Sequence, residues 1–403
     1  MPGPLSPRLQ EGLVRLGAWM PFARAAGELG WFCGVVVGAA TACRLTEAAG
    51  AALVDLETAE AERLERERPA PPAGPRVQQL SADGAMVPLV KGEWAEAKTL
   101  AIGEVVAARG DDGTPVVRTT DVSSFSRLAD AATFGRLALV ETHRRGTATA
   151  GTVVAPADGS DWLQGLVDLH RPDAVRILDF PHAAEHLNAA GQATWGVGAP
   201  EAAAWLGAQA HELKTGDPDA VLGAPRALPT HDAADPALAE RTQDETLAYL
   251  QKRRTQIAYA FFRACGFPIG SGMVESANKN VVEARLKGAG MHWARPSVNP
   301  MLALRCAVCN DRWDATWPRI ARARRRRPAL CPTRARHPAG LSAAQASRPT
   351  PHPRPPRPRV APMPADRPKK IVDGRPTRDH RWNVAARRAA ERKATRRCLA
   401  AKV

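Results

Sequence analysis

Apolar residues recur at helical spacing over residues 12–56, where Phe22, Ala25, Ala26 and Leu29 form a stripe. Gly34 interrupts that stripe, and a second helix is expected from Ala39 to Ala48. Asp55 to Arg68 reads as a charged helix, and Pro69 to Pro75 (PAPPAGP) as a linker. From Val77 the period becomes that of strands: Val77–Ala82 leads into Asp83-Gly84 and Met86–Val90. Lys98–Ala107 and Pro115–Val122 are expected as further strands, Ala129–Arg145 as a helix, and Thr147–Ala155 as a fourth strand ending near Asp158-Gly159. A helix over Trp162–His170 then leads to a fifth strand, Ala174–Leu178, closed by Asp179.

Three strands in series followed by alternating helix and strand is the order of an α/β, ribonuclease H-like mixed sheet. Residues 183–267 read as an all-helical insertion with a Pro/Asp-rich loop near 216–236, after which helices resume over 268–318. The division expected is a helical, helix-turn-helix-like region at 1–68, a linker at 69–75, and a core at 76–182 and 268–318 split by the insertion. From 319 to 403 the chain turns Pro- and Arg-rich, a composition that cannot bury a core, and is expected to be a largely disordered basic tail.

Charge sharpens this picture. The 403 residues carry a net +15, and Arg319–Val403 alone holds a larger excess of Lys and Arg over Asp and Glu than that. The body is therefore mildly acidic and the tail strongly basic, which suits phosphate binding as well as it suits a passive Pro/Arg-rich extension. No uncharged apolar run is long enough to cross a bilayer, and no signal-peptide pattern opens the chain, so a soluble cytoplasmic, nucleoid-associated protein is expected. Seven cysteines lack a disulfide framework, and Cys306 and Cys309 form a lone C-x-x-C without the second pair a zinc site needs.

Pro268 to Trp293 (PIGSGMVESANKNVVEARLKGAGMHW) concentrates the candidate chemistry. Pro268, Gly270 and Gly272 make a turn in which Ser271 could cap a helix, and Val274, Ala277, Val281, Ala284 and Leu286 supply its apolar positions. Glu275, Asn278, Lys279 and Glu283 fall on a polar side. A carboxylate in a first turn is favoured by the helix dipole whatever its job, which is the plain reading of Glu275. Likewise, Asp83 could be a turn aspartate of a hairpin.

The run Ile269–Ser276, with Arg285-Leu286-Lys287 and Gly290–Trp293, resembles the C-terminal catalytic block of DDE transposases of bacterial insertion sequences, in the Kra-type group related to Mutator-like transposases. Ser81–Gly84 with Trp94-x-Glu96-x-Lys98 resembles the family's first catalytic block, and Ala157–Ser160 its second, although the family reads G-D-G there and Asp161 is a weaker competitor. Asp179–Leu187 resembles its D-x-Y-H-A-x-E-H-L signature, with Pro181 in place of the tyrosine. Arg44–Ala48 is similar to the second helix of its helix-turn-helix unit, although Trp31–Val37 is unusually apolar and the cysteine-rich zinc segment that usually precedes that unit is not found; a helical hairpin packed on the body is the alternative. The resemblance spans roughly residues 21 to 317 in four blocks in the correct order.

The resemblance implies two Mg²⁺ ions, or Mn²⁺, held by Asp83, Asp158 and Glu275, with Asp179 and His182 as accessory groups. Asp179 as the second ligand remains open. Hard cations take oxygen ligands, and a pair of them can assist both the attacking and leaving oxygens of phosphoryl transfer. Arg44, Lys279, Arg285 and Lys287 are the expected DNA contacts. The implied partners are double-stranded DNA (element terminal inverted repeats and target) and further copies of the chain on DNA, with no membrane. Two rivals stand: a catalytically inactive DNA-binding remnant, and a nuclease-like fold acting on RNA or another nucleic acid.

Overall fold

The computed structural model describes residues 5–109, 115–231 and 233–326, together with two short strands near the C-terminus. The chain divides into two units, Met1–Pro332 and Thr333–Val403. In the second unit the described residues are β6 (Ile371–Val372) paired antiparallel with β7 (Arg375–Pro376). The expected disorder of the tail otherwise falls on residues outside those described.

The first unit is built on a five-stranded mixed sheet, in the order β3 (Pro115–Arg127), β2 (Trp94–Arg109), β1 (Val77–Pro88), β4 (Thr152–Ala157), β5 (Val175–Leu178). β1, β2 and β3 pair antiparallel, whereas β1–β4 and β4–β5 pair parallel. Alternation along β1 decides which face each residue serves. Leu80 and Ala82 point to a core shared with α4 (Ala131–Arg144) and α5 (Asp161–His170), through Phe134, Ala138, Leu163, Leu166 and Val167. Ala85 and Val87 point the other way, onto Val281, Val282, Leu286 and Trp293. Asp83 shares that second face by period.

This removes the plain reading of Asp83 as a turn aspartate and extends the first strand beyond its expected end. Asp83-Gly84 is no turn; β1 runs straight through it, with Asp83 opposite Thr99 and Gly84 opposite Lys98. Both faces of the segment are packed, and the reversal into β2 comes later, through the 3-10 turn Val90–Gly92, where Lys91 and Gly92 take positive φ.

The N-terminal helices α1 (Pro7–Trp19) and α2 (Phe22–Cys33) pack on α3 (Ala39–Glu67), a single 29-residue helix where two were expected. Its mid-section cannot stop, because the small and apolar residues Ala49, Ala52 and Leu53 are buried against Ala303, Leu304 and Ala307 of α13 (Arg295–Cys309). Gly50 lets the two helices approach: a Cβ there would lie 2.3 Å from the Pro300 carbonyl oxygen. Regions 1–68, 76–182, 183–267 and 268–318 thus lie within one unit. In the last turn of α2, Trp31 is 80% and Phe32 70% exposed.

α14 (Trp313–Arg326) runs on through the point where the tail was expected to begin. The reason is Ile320, fully buried with Trp313 in the core that α3 and α13 share. Among the described residues no helix is long and apolar enough to cross a membrane.

Residues 180–264 form the helices α6 (Phe180–Trp195), α7 (Pro200–Thr215), α8 (Pro218–Leu222), α9 (Pro236–Lys252) and α10 (Tyr259–Ala264). They close over Val154, Ile177 and Leu178 with Leu187, Leu213, Leu250 and Phe262. The chain then returns to the sheet as α11 (Gly272–Ala277), which continues as a π-helical stretch (Asn278–Glu283) and a last turn, α12 (Ala284–Leu286).

Candidate functional site

The parallel strands end where ligands commonly bind in open α/β sheets. Asp158 directly follows β4 and Asp179 directly follows β5, while Asp83 lies further along β1 than its parallel pairing with β4 extends. The Asp179 amide donates to the Ala157 carbonyl at 2.7 Å, which holds the two strand ends together.

Asp83 is half-buried beneath the helix that follows Gly272. Its Oδ2 accepts from Asn278 Nδ2 at 2.9 Å, and its Oδ1 accepts from the Gly84 amide at 2.7 Å. Burial raises its pKa, the Asp158 charge adds to the rise, and the Gly84, Asn278 and His182 contacts oppose it. A carboxylate raised by burial and by a second carboxylate gains from a nearby cation. Two further oxygens lack a partner among the described residues, Ser160 Oγ and Asn278 Oδ1, both buried. Carboxylate, amide and hydroxyl oxygens are the donor type that Mg²⁺ and Mn²⁺ take.

Glu275 is exposed, one turn ahead of Asn278 and so on the same flank of the helix. Among the described residues no three Asp, Glu, His or Cys side chains stand close enough together to hold a metal ion. Asp83, Asp158 and Glu275 therefore do not form a closed cage; the first two sense each other, and Glu275 is exposed. Asp161 forms an exposed ion pair with Lys252 at 3.2 Å.

Asp179 is fully buried, and both its oxygens are engaged. Oδ1 accepts from the Ser271 amide at 2.6 Å, and Oδ2 accepts from His182 Nδ1 at 2.7 Å while capping α6. Burial works against its charge, but the His182 and Ser271 hydrogen bonds prevail and lower the pKa. The bond to Asp179 in turn lifts His182 to about 8, so it is largely imidazolium at neutral pH and faces the Asp158 charge. Asp179 thus ties the end of β5 to the turn that launches α11. Ser271, expected to cap that helix with its side chain, makes no cap bond and uses its backbone N–H on Asp179 instead.

The basic residues divide. Arg44 and Lys279 are exposed, and Lys287 pairs with Glu283 at 2.7 Å. Arg285, expected at a DNA surface, is buried: it donates to the Gly17 carbonyl and lies over the Phe22 and Trp293 rings, and burial followed by the Arg305 charge lowers its pKa to about 10. It packs α1 against the helix that follows Gly272. In the lone C-x-x-C, Cys306 is buried and its thiol is pushed up to about 12 by that burial, while Cys309 is half-buried.

Several neighbours of the site carried no motif. Asn278 sits within Pro268–Trp293 one turn after Glu275, and that spacing was the available signal. Tyr249 and Arg253, from α9 and its end, reach the Asp158–Gly159 turn across the insertion, and no local pattern marks them.

No protein-family model matches the chain, and no curated protein matches it significantly.

Proposed function

We propose that the chain is a DNA transposase of the DDE type, cutting at element ends and joining the freed 3′-hydroxyl to target DNA. The observation that carries this reading is Asp83, half-buried, bonded by Asn278 from the helix that bears Glu275, and beside the charge of Asp158. The four sequence blocks, widely spaced in the chain, supply these same elements, and the strand order agrees with a ribonuclease H-like core interrupted after β5 by a helical insertion.

In this reading Asp83 and Asp158 would hold the cation pair, with Glu275 as the third carboxylate. Divalent cations bound there would polarise the phosphate and lower the pKa of the attacking water. His182, charged near neutrality, faces the same space and neutralises an incoming phosphate, while Asp179 fixes His182 and the start of the Glu275 helix. Arg44, Lys279 and the basic tail supply backbone contacts to DNA, with α2 and α3 as the helix-turn-helix-like reader. Copies of the chain would assemble on paired element ends in the cytoplasm, at the nucleoid.

The exposed position of Glu275 favours a second reading, a DNA-binding relative that no longer cleaves. Cleavage of a labelled element end in Mg²⁺, beside a gel-shift assay on the same protein, separates the two. The transposase reading expects Asp83→Asn and Glu275→Gln to abolish cleavage with end binding nearly intact. Binding by the parent protein without any cleavage establishes the second reading.

A further inference from the structure

The chain contains two tyrosines, and both donate to main-chain carbonyls at the ends of the parallel strands. Tyr259 Oη donates to Leu178 O at 2.8 Å, one residue before Asp179. Tyr249 Oη donates to the carbonyl of Asp158 itself. Each phenol comes from the helical insertion, and each carbonyl belongs to the sheet.

Around Asp158 the grip is more than one bond. Arg253, 9% exposed, donates Nη2 to Gly159 O at 2.6 Å and Nη1 to Tyr249 O at 3.1 Å. Its guanidinium lies 3.9 Å from the Tyr249 ring centroid. The far side of that ring stacks on His186 of α6, with centroids 3.6 Å apart. Gly159 is at φ +81, and a Cβ there would fall 2.2 Å from Arg253 Nε, so the turn and the arginine are shaped to each other. Among the described residues the Asp158 side chain accepts only from the Ser160 amide within this turn, at 2.8 Å. Its direction is therefore set by the backbone that Tyr249 and Arg253 hold.

Among the described residues Arg253 has no carboxylate partner, and a buried arginine of that kind costs stability unless its donors are filled. Here they are filled by the turn that carries a candidate ligand, which is an expensive way to build an ordinary loop. We propose that Tyr249 and Arg253 are positioning residues for Asp158: the helical insertion, through a His186–Tyr249–Arg253 stack, fixes the Asp158–Gly159 turn in the orientation that admits a divalent cation. The inference rests on the transposase reading of the site and adds to it a role for the insertion in building the cation site.

The test uses the full chain and Mn²⁺ alone as probe, followed by electron paramagnetic resonance without DNA and by the metal dependence of end cleavage. Tyr249→Phe removes one oxygen and keeps the ring between His186 and Arg253. It is expected to weaken Mn²⁺ binding by about tenfold or more, the range for outer partners of metal ligands. The Mn²⁺ concentration for half-maximal cleavage should rise in parallel, with end binding and melting temperature close to the parent's. Arg253→Gln should do the same more strongly; if it fails to fold, Tyr249→Phe still decides. Should Asp83→Asn abolish Mn²⁺ binding while Tyr249→Phe binds as tightly as the parent, the positioning role is wrong and the site stands. Should Asp83→Asn leave Mn²⁺ binding unchanged, the cation site itself is wrong, and the proposal falls with it.

Discussion

Asn278 donates its side-chain amide to Asp83 at 2.9 Å, joining residues 195 positions apart. The contact links the central strand to the π-helical stretch after Glu275, so the orientation of that helix and the state of the Asp83 carboxylate are coupled. Asn278 follows buried Val274 by four residues and precedes buried Val281 by three, so helical spacing turns it inward although its side chain is polar.

Removing this amide should therefore be felt at the carboxylate. Asn278→Ala is expected to raise the Asp83 pKa further, since burial and Asp158 push it up and Asn278 opposes them. The acid limb of the cleavage–pH profile should move to higher pH, and an unmoved limb would show that Asp83 ionisation does not control the reaction.

His182 offers a second pH readout. It is lifted to about 8 by its bond to Asp179, so this pair contributes stability that is fully present below the ordinary histidine pKa and fades as pH rises through about 8. Asp179, held low, contributes above the ordinary aspartate pKa and loses that contribution as the medium becomes more acidic. An NMR titration should find the His182 midpoint near 8 in the parent and distinctly lower in Asp179→Asn.

Away from the site, Glu141 is a buried anchor. It accepts from Ser123 at 2.6 Å, from Arg144 at 2.6 Å, and from both ends of the Arg312 guanidinium at 2.7 and 2.9 Å. Burial opposes its charge, yet Arg312 wins and its pKa is lowered. Glu141→Gln leaves Arg312 without its counter-charge and should cost about 3–5 kcal/mol, measured by denaturant unfolding. A loss below about 1 kcal/mol would mean that water replaces the pair.

The helix contact at Gly50 predicts a steric cost. Gly50→Ala places a methyl 2.3 Å from the Pro300 carbonyl oxygen, a backbone atom that cannot swing aside. About 1–3 kcal/mol of destabilisation is expected from separating α3 and α13. Unchanged melting would show that these helices are free to slide.

The tail and α14 separate two effects in one truncation series. Ending the chain at Pro318 removes buried Ile320 and should lower the melting temperature. Ending it at Pro332 keeps α14 and should leave melting unchanged, while weakening non-specific DNA binding and flattening its salt dependence. An unaltered salt slope would make the basic tail a passive extension.

Periodicity alone located the five strands of the sheet and the helices α4 and α5, and marked residues 183–267 as helical without dividing them into elements, because these are local signals. It also marked Asp158 and Asp179 as strand-end residues. Local pattern misplaced Asp83, since Asp-Gly is a turn signal until both faces of the strand are covered by packing. It split α3, where burial against α13 overrides a change from apolar to charged surface. It assigned Arg285 to a surface from charge alone, although two aromatic rings and a helix end accept it inside. The support of Asp158 by Tyr249 and Arg253, and of Asp83 by Asn278, was decided only in three dimensions. Those contacts span about 90 residues or more of chain, and no residue pattern records which carbonyl a distant phenol will meet.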